Sequence, residues 1–228
     1  MIQLNNLEFK YNIIPVLNNV DLTIEKGEIF GLAGMNGAGK TTLIEIVAGY
    51  LKPTAGTITI QHQHCAYLET QPFFYANITG NEYLAFVGSN YPAFAIDKWN
   101  EVFHLPLNER IDNYSSGMKK KLAIMGIIAL NRELILLDEP FNALDLESVE
   151  IVKLILPALK QQGKTILITS HILSTLTDTC DKICYLENGS IRGIYTKQQF
   201  PGLSEELLAD ASNRFQTKIE AAFQNNQE

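Results

Sequence analysis

Several things are scarce in this chain, and each scarcity excludes a class of protein. Cysteine occurs only at Cys65, Cys180 and Cys184, too few and too scattered for a disulfide framework, which fits a reducing compartment. Cys180-x-x-x-Cys184 reads simply as two apolar helix or strand positions. Long apolar runs are missing: the longest near the middle, residues 122–130 even counting Gly126, is far short of the ~20 residues that cross a bilayer. The first residues, M-I-Q-L-N-N-L-E-F, have neither a basic n-region nor an apolar h-region, so no secretory signal is expected. There is no long run of Lys or Arg, and the formal net charge is −7; both argue against binding a nucleic-acid backbone, which needs concentrated positive charge. What remains, with 228 residues and 46% hydrophobic content, is a soluble globular chain of one or two domains.

The richest stretch is Gly34-Met35-Asn36-Gly37-Ala38-Gly39-Lys40-Thr41-Thr42, which satisfies G-x-x-x-x-G-K-[ST]. Glycines in such a loop let successive backbone N–H groups turn inward and cradle phosphate oxygens. The segment from Asn36 to Thr42 is thus the expected nucleotide contact, with Lys40 at the β- and γ-phosphates and the Thr41 hydroxyl as a Mg²⁺ ligand. Residues 28–33 read as a short buried strand and residues 42–50 as an amphipathic helix. Strand, loop, helix is the setting the motif needs, and the helix dipole adds a positive end facing the anion. A plain Gly-rich turn would lack that setting.

Around this loop the chain changes character several times. Residues 2–10 alternate apolar and polar with one slip in register, and residues 20–25 alternate more cleanly before a Lys26-Gly27 turn. Tyr11, between these strands, is a candidate to stack on a flat base. Residues 57–60 and 65–68 read as two further strands. His62 and His64 would share a side if extended, but two histidines without a third ligand make a poor metal site. From Gln71 to about residue 129 the pattern becomes helical, notably at 81–87 and 96–104, which predicts an inserted helical subdomain. The tail from residue 201 has helical spacing at 203–209 and 215–223 and no motif; a helical tail is expected there.

Two later stretches, L-I-L-L at 134–137 and T-I-L-I-T at 165–169, are apolar without alternation, as strands covered on both faces are. The first ends in Asp138-Glu139 and the second in Ser170-His171. Open α/β sheets bind ligands beyond the carboxyl ends of their strands, so loop, acids and histidine should meet in one crevice. Phosphoryl transfer then assigns roles. Asp138 suits a Mg²⁺ shell of hard oxygens, Glu139 is free to polarise a water, and His171 can hydrogen-bond that water or the γ-phosphate.

With those residues in place, the chain resembles the ATP-binding cassette of ABC transporters. Asn113-Tyr114-Ser115-Ser116-Gly117-Met118 looks like that family's signature in its Y-S-x-G-M form, with Ser115 and Gly117 at the usual Ser and second Gly. Residues 134–140 match Walker B and the catalytic Glu, Asn142-Ala143-Leu144-Asp145 the D-loop, His171 the switch histidine, and Tyr11 the adenine-stacking aromatic. The resemblance covers residues 1 to about 200. Tyr114, Ser116 and Met118 depart from the commonest signature, a variant associated with exporter-like cassettes. At the Q-loop, counting back from Phe74-Tyr75 puts Thr70 at the usual glutamine position, whereas Gln71, the metal-contacting candidate, lies one residue later.

The resemblance implies an α/β fold: a P-loop NTPase core with a mainly parallel sheet, an N-terminal antiparallel β-subdomain and an inserted helical subdomain at about 71–129, within a cassette spanning 1–200. It implies an ATP- and Mg²⁺-dependent ATPase subunit that powers separate membrane-spanning permease subunits from the cytoplasmic face, with no membrane insertion of its own. It also implies a second cassette, identical or paralogous, whose signature (Ser115, Gly117) and D-loop (Asp145) complete the first cassette's site. Three successive aromatics, Phe73, Phe74 and Tyr75, are too many for one face of a short element; at least one is expected in a groove for a permease helix, with burial within the helical subdomain as the alternative. A soluble ABC ATPase of translation control or DNA repair is the alternative, disfavoured by the single cassette and the acidic charge. A nucleotide-switched module without catalysis is disfavoured by Glu139 and His171.

Overall fold

The structure, a computed structural model, describes residues 1–61, 64–203 and 205. His62 and most of the expected tail helices lie outside the described residues. An antiparallel sheet comes first: β1 (Ile2–Tyr11) pairs with β2 (Ile14–Ile24), and β4 (Ala55–Ile60) adds to the other side of β1. Instead of one slip, the β1–β2 register breaks between Leu4 and Leu7, Leu7 and Phe9, and Phe9 and Lys10. Asn6 has φ 45° within this stretch, an αL conformation that asparagine tolerates better than most residues. β2 starts well before residue 20 because Pro15 is admissible on it: β2 is an edge strand, where a missing N–H interrupts no ladder.

The second sheet has the order β5-β6-β7-β3-β8-β9. It contains β3 (Ile29–Ala33), β5 (Cys65–Leu68), β6 (Leu134–Asp138), β7 (Thr165–Ser170), β8 (Lys182–Glu187) and β9 (Ser190–Thr196). All neighbours run parallel except the β8–β9 hairpin. That hairpin is absent from the expectations above, although Asn188-Gly189, both at positive φ (50° and 78°), is the turn dipeptide that marks one.

Strand alternation sorts the apolar runs into two cores. Ile29, Ala33, Ile135, Leu137, Ile166 and Ile168 face one cluster, packed under α4 (Ser116–Ala129) and α5 (Leu146–Gln161). Phe30, Leu32, Leu134, Leu136 and Leu167 face the other, against α1 (Lys40–Ala48) and the antiparallel sheet. Both faces of the central strands are therefore dry, which accounts for their unbroken hydrophobicity.

Residues 71–129 contain α2 (Gly80–Val87), α3 (Ile96–Phe103) and α4. α2 begins on a capping box, Thr79 with Glu82, each side chain satisfying the other's free N–H. Leu84, Phe103, Leu107 and Ile111 belong to the same cluster as Ile135 and Leu137, so the helical insertion shares one continuous core with the parallel sheet. Among the described residues no helix is long and apolar enough to cross a membrane.

Candidate active site

The carboxyl ends of β3, β6 and β7 open on one cleft of about 380 Å³, whose lining includes Gly37, Lys40, Thr41, Glu139 and His171. That volume is within the roughly 300–1,000 Å³ of small-molecule sites. Register explains the convergence: Ala33 pairs with Ser170, and Asp138 with Thr169. Parallel strands in step thus deliver the loop, the acids and the histidine to the same edge.

At the loop, Gly39 takes φ 103° as the N-cap of α1. A β-carbon there would sit 2.8 Å from Leu17 Cδ2 and 3.1 Å from the Val16 carbonyl, so both conformation and space require glycine. Lys40 is buried and its Nζ donates to the carbonyls of Gly34 (2.7 Å) and Met35 (3.2 Å). It also stands 3.7 Å from Glu139 Oε1.

The two adjacent acids have separate partners. Asp138, fully buried, accepts from three hydroxyls: Thr41 (2.9 Å) and Thr70 (2.5 Å) at Oδ2, and Thr169 (2.5 Å) at Oδ1. Glu139 instead meets Lys40, and its Oε2 accepts from His171 Nδ1–H at 2.9 Å. This partition comes from the backbone. Glu139 has φ 48°, an uncommon conformation for a residue with a long side chain, of the kind found at sites held under strain. Its N–H donates to Thr169 Oγ1 (2.9 Å), the hydroxyl that also donates to Asp138. With Nδ1–H committed to Glu139, Nε2 of His171 is left to face a ligand.

One expected residue is not where the sequence placed it. Gln71 is exposed and does not line the cleft; Thr70 lines it and reaches Asp138. The pairing of β5 with β6, Leu68 beside Leu137, carries the chain just beyond β5 past the end of β6, and there it is the Thr70 hydroxyl that reaches back to the Asp138 carboxylate. Tyr11 is 47% exposed, stands edge-on to Phe9 and is outside the cleft lining, whereas Val16 on the next strand is within it. Ser115 and Gly117 lie elsewhere, at the start of α4, where Ser115 Oγ accepts from Met118 N–H (3.2 Å). A β-carbon on Gly117 would come within 2.8 Å of the Ala143 carbonyl, so signature and D-loop touch within one chain. Asp145 caps α5, accepting from Ser148 N–H (2.8 Å) and Oγ (2.6 Å). The Ser148 hydroxyl and N–H, and then Lys121, hold its carboxyl below the usual range.

Sequence reasoning missed Thr169, Val16 and Lys120. Thr169 carried a signal: a polar residue closing an apolar buried strand must spend its hydroxyl on something. Lys120, on α4 and 3% exposed, donates from Nζ to the Thr70 carbonyl (2.8 Å) and the Glu69 carbonyl (3.4 Å). Burial pulls its ammonium down to about 8, against Asp138 and Glu139, which push it back up.

A phosphate-cradling loop at a helix start, a buried acid ringed by hydroxyls, and a second acid paired to a histidine define a P-loop nucleotide hydrolase. The profile of the ABC transporter family matches residues 17–142. The ABC transporter ATP-binding protein YtrB of Bacillus subtilis (strain 168) is 32% identical over 222 residues, covering 91% of this chain and 75% of that protein. Bacitracin transport ATP-binding protein BcrA of Enterococcus faecalis is 34% identical over 209 residues, covering 84% of this chain and 68% of its own. Among solved structures, an ATP-binding subunit of an ABC transporter superposes with a TM-score of 0.80 at 28% identity, covering 88% of this chain and 93% of that one. A dimeric post-hydrolysis cassette, MJ0796 bound to ADP and Pi, reaches 0.78 at 23% identity over 86% and 99% of the two chains, a likeness of fold. The chain belongs to the ABC transporter family: it is an ATP-binding and ATP-hydrolysing subunit.

Proposed function

We propose that the cleft binds Mg-ATP, with Asn36 to Thr42 around the phosphates, Thr41 and Asp138 on Mg²⁺, and Glu139 and His171 placing the attacking water. The observation that carries this is the partition of the two acids. Asp138 is ringed by hydroxyls, an all-oxygen set that fits Mg²⁺, which takes one or two carboxylates plus phosphates and waters rather than a protein cage. In keeping with that, no group of three His, Cys, Asp or Glu side chains gathers among the described residues. Glu139, held between Lys40 and His171, is free of that shell and can accept a proton from water. Thr70 supports Asp138 from the Q-loop side, in place of Gln71. Tyr11 is the proposed platform for adenine, at the end of the strand pair that contributes Val16 to the cleft.

The chain works as a pair, with a second identical or paralogous cassette, on the cytoplasmic face of a membrane against separate permease subunits. Ser115, Gly117 and Asp145 lie outside the chain's own cleft lining and are offered to the partner's nucleotide, Gly117 at the N-terminus of a 14-residue helix whose dipole favours anions. For the permease, Phe73, Phe74, Tyr75, Ile78, Tyr83 and Phe86 line an apolar hollow of about 280 Å³. Phe73 and Phe86 are more than 70% exposed there, a cost in water that a permease helix would remove.

The test combines catalysis and assembly. Glu139→Gln keeps shape and removes the base, so ATP should hold the variant as a dimer in size-exclusion chromatography with light scattering, and ADP as a monomer. Adding Ser115→Arg should abolish that dimer while leaving nucleotide binding in place. A variant that binds ATP, fails to hydrolyse it and stays monomeric even with permease present would remove the paired arrangement.

A further inference from the structure

Lys120 is the most enclosed lysine of the described residues, 3% exposed, and the chemistry described so far leaves it unused. Burying an ammonium costs several kcal/mol unless it is well paired, yet among the described residues no carboxylate lies within ion-pair distance of Lys120. Its Nζ contacts are two neutral carbonyls, those of Thr70 and Glu69. A methionine of similar length would fill the same space without that penalty, so packing alone does not account for a lysine here.

Its position does. Thr70 and Glu69 follow the end of β5, and the Thr70 hydroxyl donates to Asp138 Oδ2, the oxygen that also accepts from Thr41. Pinning the Thr70 carbonyl fixes its peptide plane, and the β-branched side chain then has little freedom left at χ1. The hydroxyl is thereby aimed at Asp138. Lys120 itself stands on α4, five residues beyond Ser115, whose side chain caps that helix. A continuous chain of contacts runs from the signature helix through Lys120 and Thr70 to Asp138, the buried acid behind the cleft lining.

We infer that Lys120 is a positioning residue: it clamps the carbonyls after β5 so that Thr70 holds Asp138, and it ties the helix bearing Ser115 and Gly117 to the metal-binding end of the cleft. The metal part rests on the reading of Asp138 given above; the clamp rests on the contacts alone.

The experiment uses Mn²⁺ with ADP as the probe, read by the electron paramagnetic resonance of free Mn²⁺, and amide hydrogen exchange of residues 69–71 in the nucleotide-free protein. Lys120→Met should fold with an unchanged or higher Tm, exchange faster at 69–71, and bind Mn²⁺ about tenfold more weakly, the usual effect of losing an outer support of a metal ligand. Thr70→Val should lose a similar factor, and the double variant should add nothing further, since both act through one contact chain. Unchanged exchange and Mn²⁺ affinity in Lys120→Met, or losses that multiply in the double variant, would overturn the inference. If wild type shows no Mn²⁺ binding, the metal reading fails by itself, and exchange at 69–71 alone decides the clamp. If Lys120→Met does not fold, Lys120→Gln is measured instead: it should exchange faster at 69–71, and wild-type exchange and affinity there would refute the clamp. Failure of both variants to fold would make Lys120 a residue of the fold and overturn the inference too.

Discussion

The two ends of the parallel sheet treat their buried and half-buried acids in opposite ways. At the amino ends, Glu28 is paired to Lys182 at 2.8 Å, and Asp181 accepts from Lys160 (2.6 Å), Lys197 (3.1 Å) and the Ile29 N–H (2.8 Å). At the carboxyl ends, Asp138 has hydroxyls and, among the described residues, no cation within ion-pair distance, and Glu139 reaches Lys40 only at 3.7 Å. Both ends are walled by the same dry strands. The difference is one of use: paired acids hold the edge of the sheet together, and under-compensated acids are left to a ligand that brings cations or protons of its own.

That contrast can be broken in several places. The largest effect is expected at Glu139→Gln, where the steady-state ATPase rate should fall by roughly two to four orders of magnitude while Tm stays level or rises, because a like charge beside Asp138 has gone. A fall in Tm of several degrees with a preserved rate would make Glu139 structural and erase the distinction.

At the other end the signs reverse. Asp181→Asn keeps the shape but loses charge-assisted bonds, and should cost about 2 kcal/mol, or roughly 4–8 °C in Tm for a chain of this size. Its kcat should match that of wild type. The acid limb of stability sharpens the point. Burial alone would raise the Asp181 carboxyl, but Lys160, the Ile29 N–H and Lys197 outweigh it and hold it below the ordinary range. A depressed folded value means that the unfolded chain takes up the proton first as pH falls. The contribution is therefore complete above about pH 4 and is lost as pH falls through the folded value, so urea midpoints of wild type and Asp181→Asn should converge in that window. Parallel curves would show that the ion pairs are not the source.

The smallest effect belongs to Lys182→Met. The Glu28 hydrogen bond, ahead of the opposing effect of burial, raises the Lys182 ammonium, but the side chain is 36% exposed and solvent screens the pair. The loss should be about 1 kcal/mol or less, measurable by denaturant titration. Glu28 keeps its bond from the Glu25 N–H (2.9 Å), so a loss several times larger would mean that the pair, not the peptide bond, holds this acid.

The same contrast explains what could be read from the chain beforehand. The carboxyl-end site was legible because its parts are local: a nine-residue loop, an Asp-Glu pair and a histidine, each at the end of an apolar run. β5 appears with the expected limits, and β6 and β7 each extend one residue further. The amino-end network was invisible, since Asp181 finds Lys160 and Lys197 through the packing of α5 and the turn after β9, at separations no motif records. Gln71 and Thr70 show the limit within the site itself: the motif count left the register open between the two neighbours, and in the fold it is the Thr70 hydroxyl that reaches Asp138 while Gln71 is exposed. β8 and β9 were missed for want of weight given to Asn188-Gly189, and the irregularities of β1 because asparagine in αL leaves little mark on alternation.

Lys40 carries a last consequence, for the speed of the cycle. Two of its three N–H donors are already taken by the carbonyls of Gly34 and Met35, within the same loop. On the reading proposed above, phosphate would take the third and compete with these oxygens for the other two, which would lower affinity relative to a bare cation. On departure the lysine would keep its two acceptors, so product would leave without stranding a buried charge. A loop that is its own understudy for the ligand would trade tightness for turnover.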